Sequence, residues 1–389
     1  MVIDWKKVKA RFKKLKTVEK YRKAMQDKSA YLWTPLHIPF DDFAYGFFMS
    51  DRTRGKTTQF LLLFMIAGHD YNKTIEYVRT TDEEAAPKNT RKMFDVILAF
   101  DYVKEVTKGA YNSVTYQARY WYYCNVADGK ITDTAPTPFL HISDVRHYLD
   151  LKSGYNSANS DLILYDEFIG KEQPDDFISF TQLQSTYYRM RKNCKTIFLA
   201  NSVNKQAPFF YEFTIAKPLE HMQSGENKIV QSPLGTKFYI EILPSDKSET
   251  KAKINTEYYG FANSKLASIT GAATWAFKQY KHIDRNINKE IVTKNVYIQY
   301  LGKYYRCDIC HYEDHKTPVI ECHRATKTYD DSIIFTMDNA TDGRFIHALG
   351  YTRSHKKFWL TYRANEWYFD DNETGDVIER YYTAARRVV

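Results

Sequence analysis

Lys56 and Thr57, directly behind Gly55, stand where an apolar run gives way to a helix-forming one. Phe43 to Met49 is short and aromatic-rich, which predicts a buried strand. Ser50-Asp51-Arg52-Thr53-Arg54-Gly55 is a polar loop, and Lys56-Thr57-Thr58 opens a helical run that continues to Ala67. The first turn of a helix carries unpaired N–H groups and a partial positive charge. A loop bent back over it therefore makes a pocket for anionic oxygens. There Lys56 would reach the β- and γ-phosphates of a nucleotide such as ATP, and the Thr57 hydroxyl would complete the shell of a Mg²⁺ ion. The G-x-x-x-x-G-K-[ST] pattern is met except at its first position, where Ser50 replaces the Gly.

Three further runs supply the partners such a site needs. Leu162-Ile163-Leu164-Tyr165 predicts a buried strand that ends in Asp166 and Glu167. Asp166 is expected on the metal side, with Glu167 polarising an attacking water. Lys195 to Ala200 is another apolar strand, ending in Asn201, where an amide would sit beside that water. Tyr188-Arg189-Met190-Arg191-Lys192 ends the helix between these strands. The helix dipole alone accounts for cations there. In an oligomeric ATPase the same place faces the neighbouring subunit's nucleotide, and Arg189, ahead of Arg191, is the candidate to stabilise transition-state charge. Lys56 and the Asp166–Glu167 pair are expected to converge on one magnesium-bound triphosphate at the ends of neighbouring parallel strands.

Those side chains need a scaffold, and the remaining pattern describes it. Thr74 to Thr80 reads as a strand ending in Arg79, Asn89 to Val106 has helical spacing, and Ser113 to Cys124 is β-rich. Ala127-Asp128-Gly129-Lys130 is a hairpin-like turn, and residues 151–161 are a polar loop. Residues 1–30 hold 11 Lys/Arg against 3 Asp/Glu, a net +8 of the chain's +9. Trp5, Val8, Phe12, Leu15, Val18, Tyr21 and Met25 give this segment one apolar stripe, so it reads as a basic amphipathic helix. Either it touches nucleic acid or an acidic partner, or it is a solvated helix docked on the main domain.

A charged run at 245–251 and a helical stretch from Phe261 to Lys281 precede a β-rich region that begins at Val292. Its runs NVYIQYLGKYYRCDI, PVIECHRAT, SIIFTMD and HKKFWLTYRANEWYFDD read as short strands. The partition is 1–30 basic helix, 31–245 nucleotide-binding domain, 246–291 linker with a helix, and 292–389 second domain. Cys307, Cys310 and His311 lie upstream of Cys322-His323, whose adjacent ligands would point to opposite faces of a strand, against a zinc site. Asp330-Asp331 and Asp370-Asp371 read as solvated turns, and no acid lies within Val296–Tyr300 to anchor a nuclease centre. At 389 residues, with 43% hydrophobic content, the chain is long enough for two domains. It has no membrane-length apolar run and an odd five Cys, so a soluble protein of a reducing compartment is expected.

SDRTRGKTT, LILYDEF and TYYRMRKNCKTIFLANS together resemble the DNA-packaging ATPases, or encapsidation proteins, of phi29-type tailed phages. These are additional-strand P-loop ATPases related to the FtsK/HerA translocases. The motifs span roughly residues 40–215. The resemblance implies an α/β fold: a P-loop domain with a mostly parallel central sheet and helices on both faces, plus a smaller RNase H-like C-terminal domain without nuclease acids. It implies that Arg52 is the P-loop arginine, Lys56, Thr57, Asp166 and Glu167 the two Walker motifs, Arg189 within its aromatic-Arg-x-Arg stretch the finger acting between subunits, and Asn201 the coupling residue. It further implies ATP and Mg²⁺, a homomeric ring of five on the portal vertex of a procapsid, and double-stranded DNA driven inward in the cytoplasm of an infected bacterium. A translocating ring needs lysines on loops that face the DNA phosphates, and Lys130 and Lys152 are the candidates. The alternatives are a related translocase or helicase working away from a capsid, and a nucleotide-gated DNA-binding scaffold with little turnover.

Overall fold

The computed structural model describes residues 2–25, 32–50, 54–146, 160–169, 174–190, 194–201, 207–220, 222–244, 280–283, 287–313, 315–338, 342–350 and 352–388. The chain divides into two compact units, Met1–Thr274 and Trp275–Val389.

In the first unit ten strands form one sheet: β1 (Tyr45–Met49), β2 (Ile75–Arg79), β3 (Ser113–Gln117), β4 (Tyr120–Ala127), β5 (Lys130–Thr134), β6 (Leu140–Asp144), β7 (Leu162–Asp166), β8 (Lys195–Ala200), β9 (Asn227–Gln231) and β10 (Lys237–Ile242). Its order is β3-β4-β6-β2-β7-β8-β1-β10-β9, with β5 paired to β4. The central strands β6, β2, β7, β8, β1 and β10 are all parallel, and antiparallel strands close both edges. Parallel strands are covered on both faces, so they read as continuous apolar runs; every residue of β6 and β7 is buried.

Alternation splits the strand residues between two cores. Phe48, Tyr77, Leu164 and Leu199 pack with α3 (Lys56–Tyr71), while Phe47, Val78, Tyr165 and Phe198 pack with Phe180 and Leu183 of the helix Pro174–Met190. Helices thus cover both faces, as expected. The sheet order departs from the expectation at its centre. The strand carrying Asp166 is not next to β1, because β8 lies between them and pairs with both. The inserted β8 brings Asn201 between Lys56 and Glu167.

The basic segment is two helices, α1 (Trp5–Lys14) and α2 (Thr17–Met25), rather than one. Lys16 takes a left-handed conformation (φ 52°), which ends the first helix and redirects the chain. Trp5, Val8, Phe12 and Leu15 are buried in the first core, with Trp5 stacked on Phe40 at 4.3 Å. Residues 89–106 likewise form short helical pieces instead of one helix, broken at Asp101 (φ 56°). The helical stretch proposed from Phe261 lies outside the described residues as far as 279.

The second unit is a six-stranded mixed sheet: β11 (Lys289–Tyr300), β12 (Lys303–Tyr312), β13 (Val319–Ala325), β14 (Ile333–Thr336), β15 (Phe345–His347) and β16 (Trp367–Phe369), in the order β15-β14-β11-β12-β13-β16. Antiparallel β11-β12-β13 are followed by β14, parallel to β11, and β15, parallel to β14. The unit is less purely β than expected, because Arg353–Arg363 and Asn372–Arg387 are helices. His355 to Arg363 was read as strand; Phe358, Trp359 and Tyr362 instead sit at helical spacing and pack on Trp367. Asp371 caps the last helix, accepting from the Thr374 N–H at 2.7 Å. Cys307 and Cys322 face each other across β12 and β13 with Sγ atoms 4.0 Å apart.

Candidate nucleotide site

Register puts the chemistry at one end of the central sheet. Met49 pairs with Ala200, and Asp166 with Leu199, so Ser50, Asn201 and Glu167 leave the sheet side by side. Ligands bind outside the carboxyl ends of parallel strands, and that is where these residues emerge. Gly55 is the N-cap of α3 with φ 76°, and a Cβ there would lie 2.4 Å from Leu32 Cδ1. Only glycine lets the loop turn into the helix at this point. Lys56 is buried and donates to Ser50 Oγ and, at 3.2 Å, to Asn201 Oδ1. Thr57 Oγ1 donates to Asp166, 3.2 Å from Oδ1 and 3.1 Å from Oδ2.

Adjacent strand residues point to opposite faces, so Asp166 and Glu167 would diverge if β7 simply continued. Asp166 follows Leu162 and Leu164 onto the α3 face. Glu167 is left-handed (φ 56°), which bends the chain and returns its carboxylate to the same pocket. Asn201 Nδ2 donates to Glu167 Oε1 at 2.9 Å. The Arg79 guanidinium joins the two acids, 2.7 Å from Glu167 Oε2 and 3.4 Å from Asp166 Oδ2. Tyr77 OH donates to Asp166 Oδ2 at 2.7 Å. Contacts therefore run from Lys56 through Asn201, Glu167, Arg79 and Asp166 to Thr57, and the chain itself joins Thr57 to Lys56 and closes the circuit. The circuit borders a cleft of about 380 Å³ lined by Thr57, Tyr77, Arg79, Glu84, Asn89, Thr90, Met93, Asp166 and Glu167.

Burial sets the electrostatics. It pushes the Asp166 carboxyl above the usual range, and Arg79 and Tyr77 offset part of that push. Burial, then the nearby Asp166 carboxylate, pushes the Tyr77 phenol up, so it stays a neutral donor. Burial works against the Arg79 charge, but the Asp166 and Glu167 carboxylates outweigh it and hold the guanidinium protonated.

The donor set fits magnesium. Thr57 and Asp166 offer hard oxygens 3.1–3.2 Å apart, about the ~3 Å between neighbouring oxygens around an ion that holds each at about 2.0–2.1 Å. Among the remaining candidates, Thr58 is half-buried in the first turn of α3, and Arg54 is buried, its carbonyl accepting from the Trp33 N–H. Asp51, Arg52, Thr53, Lys152 and Arg191 lie outside the described residues. Arg189 is in the last turn of the helix Pro174–Met190. Lys130 is exposed at the start of β5, on a hairpin at the sheet's edge and away from the circuit. Tyr77 and Arg79 carry site contacts that the sequence reading gave no role. The signal was present, since a polar residue ending a parallel strand points at the ligand end of the sheet, but it needed the knowledge that β2 borders β7.

No protein-family model and no curated protein matches this sequence. Solved structures do. The bacteriophage Phi-29 viral genome packaging motor assembly aligns with a TM-score of 0.54 and 17% identity over 92% of this chain and 100% of that one. The Phi-28 gp11 DNA packaging motor aligns with a TM-score of 0.52 and 13% identity over 91% of this chain and 97% of that one. Identities this low establish architecture, and the architecture of this chain is that of the bacteriophage genome packaging motors.

Proposed function

We propose that this protein hydrolyses ATP to drive double-stranded DNA into a viral procapsid, as one of several copies in a ring. The observation that supports the reading is the circuit at the carboxyl ends of β1, β8, β7 and β2, in which a lysine, a Thr–Asp pair and a second carboxylate lie together. Lys56 and the α3 N-terminus hold the β- and γ-phosphates. Thr57 and Asp166 would hold Mg²⁺, which when bound neutralises charge on the phosphate oxygens. Glu167 takes the proton of the attacking water as its oxygen bonds to the γ-phosphorus and the bond to the bridging oxygen breaks, releasing ADP and phosphate. Asn201 aims that carboxylate and also touches Lys56, so it links the phosphate grip to the base. A carboxylate paired with a guanidinium is a weak base, so Glu167 must loosen from Arg79 for turnover.

The fold likeness to motors supports the remaining parts. Arg189, in the last turn of its helix, serves as a finger to the neighbouring subunit's nucleotide, and lysines such as Lys130 and Lys152 contact DNA phosphates. Ring assembly, five copies and docking on the portal vertex in the host cytoplasm belong to the same proposal. Among the described residues no helix is long and apolar enough to cross a membrane. ATP turnover measured with double-stranded DNA and empty procapsids, singly and together, tests the proposal. Turnover should be highest with both present. Stimulation by DNA that is indifferent to procapsids would instead identify a capsid-independent translocase, and ATP binding with negligible turnover throughout would identify a nucleotide-gated scaffold.

A further inference from the structure

Asn201, Glu167 and Arg79 stand at the ends of β8, β7 and β2, so the circuit extends to one side of β1 only. On its other side β1 pairs with β10, and Phe48 lies opposite Glu241. A triphosphate gripped by Lys56 with its γ-phosphate toward Glu167 sends its sugar and base the other way, to the β10 side of the loop. The segment before β1 borders that side. Leu32 packs on Gly55, the Trp33 N–H donates to the Arg54 carbonyl at 3.2 Å, and the Trp33 ring lies 5.1 Å from Phe60 of α3. One turn of 3₁₀-helix, Pro35–His37, follows.

A buried carboxylate sets the pose of this turn. Glu241, 5% exposed, meets three donors: Trp33 Nε1 at 2.9 Å on Oε1, and Tyr239 OH at 3.0 Å and His37 Nε2 at 2.8 Å on Oε2. A carboxylate only accepts, so His37 turns its Nε2–H to Glu241, and in the neutral ring Nδ1 keeps a lone pair. None of the described contacts of His37 uses Nδ1, and the side chain is 44% exposed beside Trp33.

We propose that His37 reads the base of the bound nucleotide, its Nδ1 accepting from the 6-amino group of adenine, with Glu241 as the positioning residue that fixes the tautomer. Adenine offers a donor at that edge where guanine offers an acceptor, so the same lone pair attracts one base and repels the other. The inference rests on the nucleotide-site reading and adds to it the choice of base.

The test titrates the full chain with Mg²⁺ and the β,γ-imido analogues of three triphosphates, those of adenosine, guanosine and 2,6-diaminopurine riboside. Tripolyphosphate, which has no base, reports the phosphate grip by itself. Wild type should bind the adenine and diaminopurine analogues alike and the guanine analogue at least about tenfold more weakly, the scale of one hydrogen bond exchanged for a repulsive pair. His37→Ala leaves Glu241 its other two donors. It should bring all three analogues within about threefold of one another while tripolyphosphate binds as in wild type. Glu241→Gln reads the tautomer. Trp33 can only donate, so it holds the amide oxygen, and the amide N–H then faces His37 Nε2 and moves the ring proton to Nδ1. Preference should pass to the guanine analogue, with far-UV circular dichroism unchanged. An unaltered preference in His37→Ala, or a diaminopurine analogue that binds as weakly as the guanine one, would overturn the base reading and leave the phosphate site standing. Failure of wild type to bind either tripolyphosphate or the adenine analogue would overturn both.

Discussion

Arg79 is the one cation that touches both acids of the Asp166–Glu167 pair in the described contacts, and its side chain is only 12% exposed. Removing one partner of a buried ion pair leaves an uncompensated charge, which costs about 3–5 kcal/mol. Arg79→Ala should therefore destabilise the first unit by that order at pH 8, measured by denaturant unfolding. The deficit should depend on pH with a definite sign. Burial already holds the Asp166 carboxyl above its ordinary value, and losing Arg79 raises it further. A carboxyl raised in the folded state favours folding when protonated and disfavours it as pH climbs through the folded value. The variant should thus draw closer to wild-type stability at acid pH and fall behind it as pH rises; a deficit that is the same at acid and at alkaline pH would contradict the assignment. Tyr77 and Arg79 were visible in the sequence only as the end of a strand. What gives them meaning is that β2 lies next to β7, a long-range pairing that no local pattern encodes.

At the scale of elements, α1 belongs to the core of the first unit. Phe12 is 1% exposed, and the helix is stitched to α3 through Arg11 and Asp70. Phe12→Ala should cost about 3–5 kcal/mol of unfolding free energy, whereas a cost below about 1 kcal/mol would mean a loosely docked helix. Strands were the most legible elements, because β1, β7 and β8 are unbroken apolar runs, each ending in polar residues. Helix boundaries were less so. Lys16 and Asp101 take left-handed conformations without being glycine, so the breaks carry no sequence mark, and apolar spacing ran straight through them. The run from His355 to Arg363 misled because its aromatic residues favour strands by type, while their i, i+1, i+4 spacing places them on one side of a helix. The insertion of β8 between β1 and β7 was not foreseen, because residue patterns suggested direct neighbours.

For the molecule as a whole, the site is a property of the sheet's order. Lys56, Asn201, Glu167 and Arg79 come from segments spread over some 145 residues and meet because β1, β8, β7 and β2 lie side by side in register. The second unit builds a core of its own around Trp359, Trp367 and Tyr381. Glu167→Gln keeps the size of the side chain and one carbonyl acceptor for Asn201 while removing the base. The most direct test is ATP affinity and turnover measured on that variant beside wild type. ATP should bind with affinity close to wild type while turnover falls by about 10²–10⁴-fold, the usual contribution of a general base. Turnover at the wild-type rate would contradict the role of Glu167 and, with it, the reading of this circuit as a hydrolytic centre.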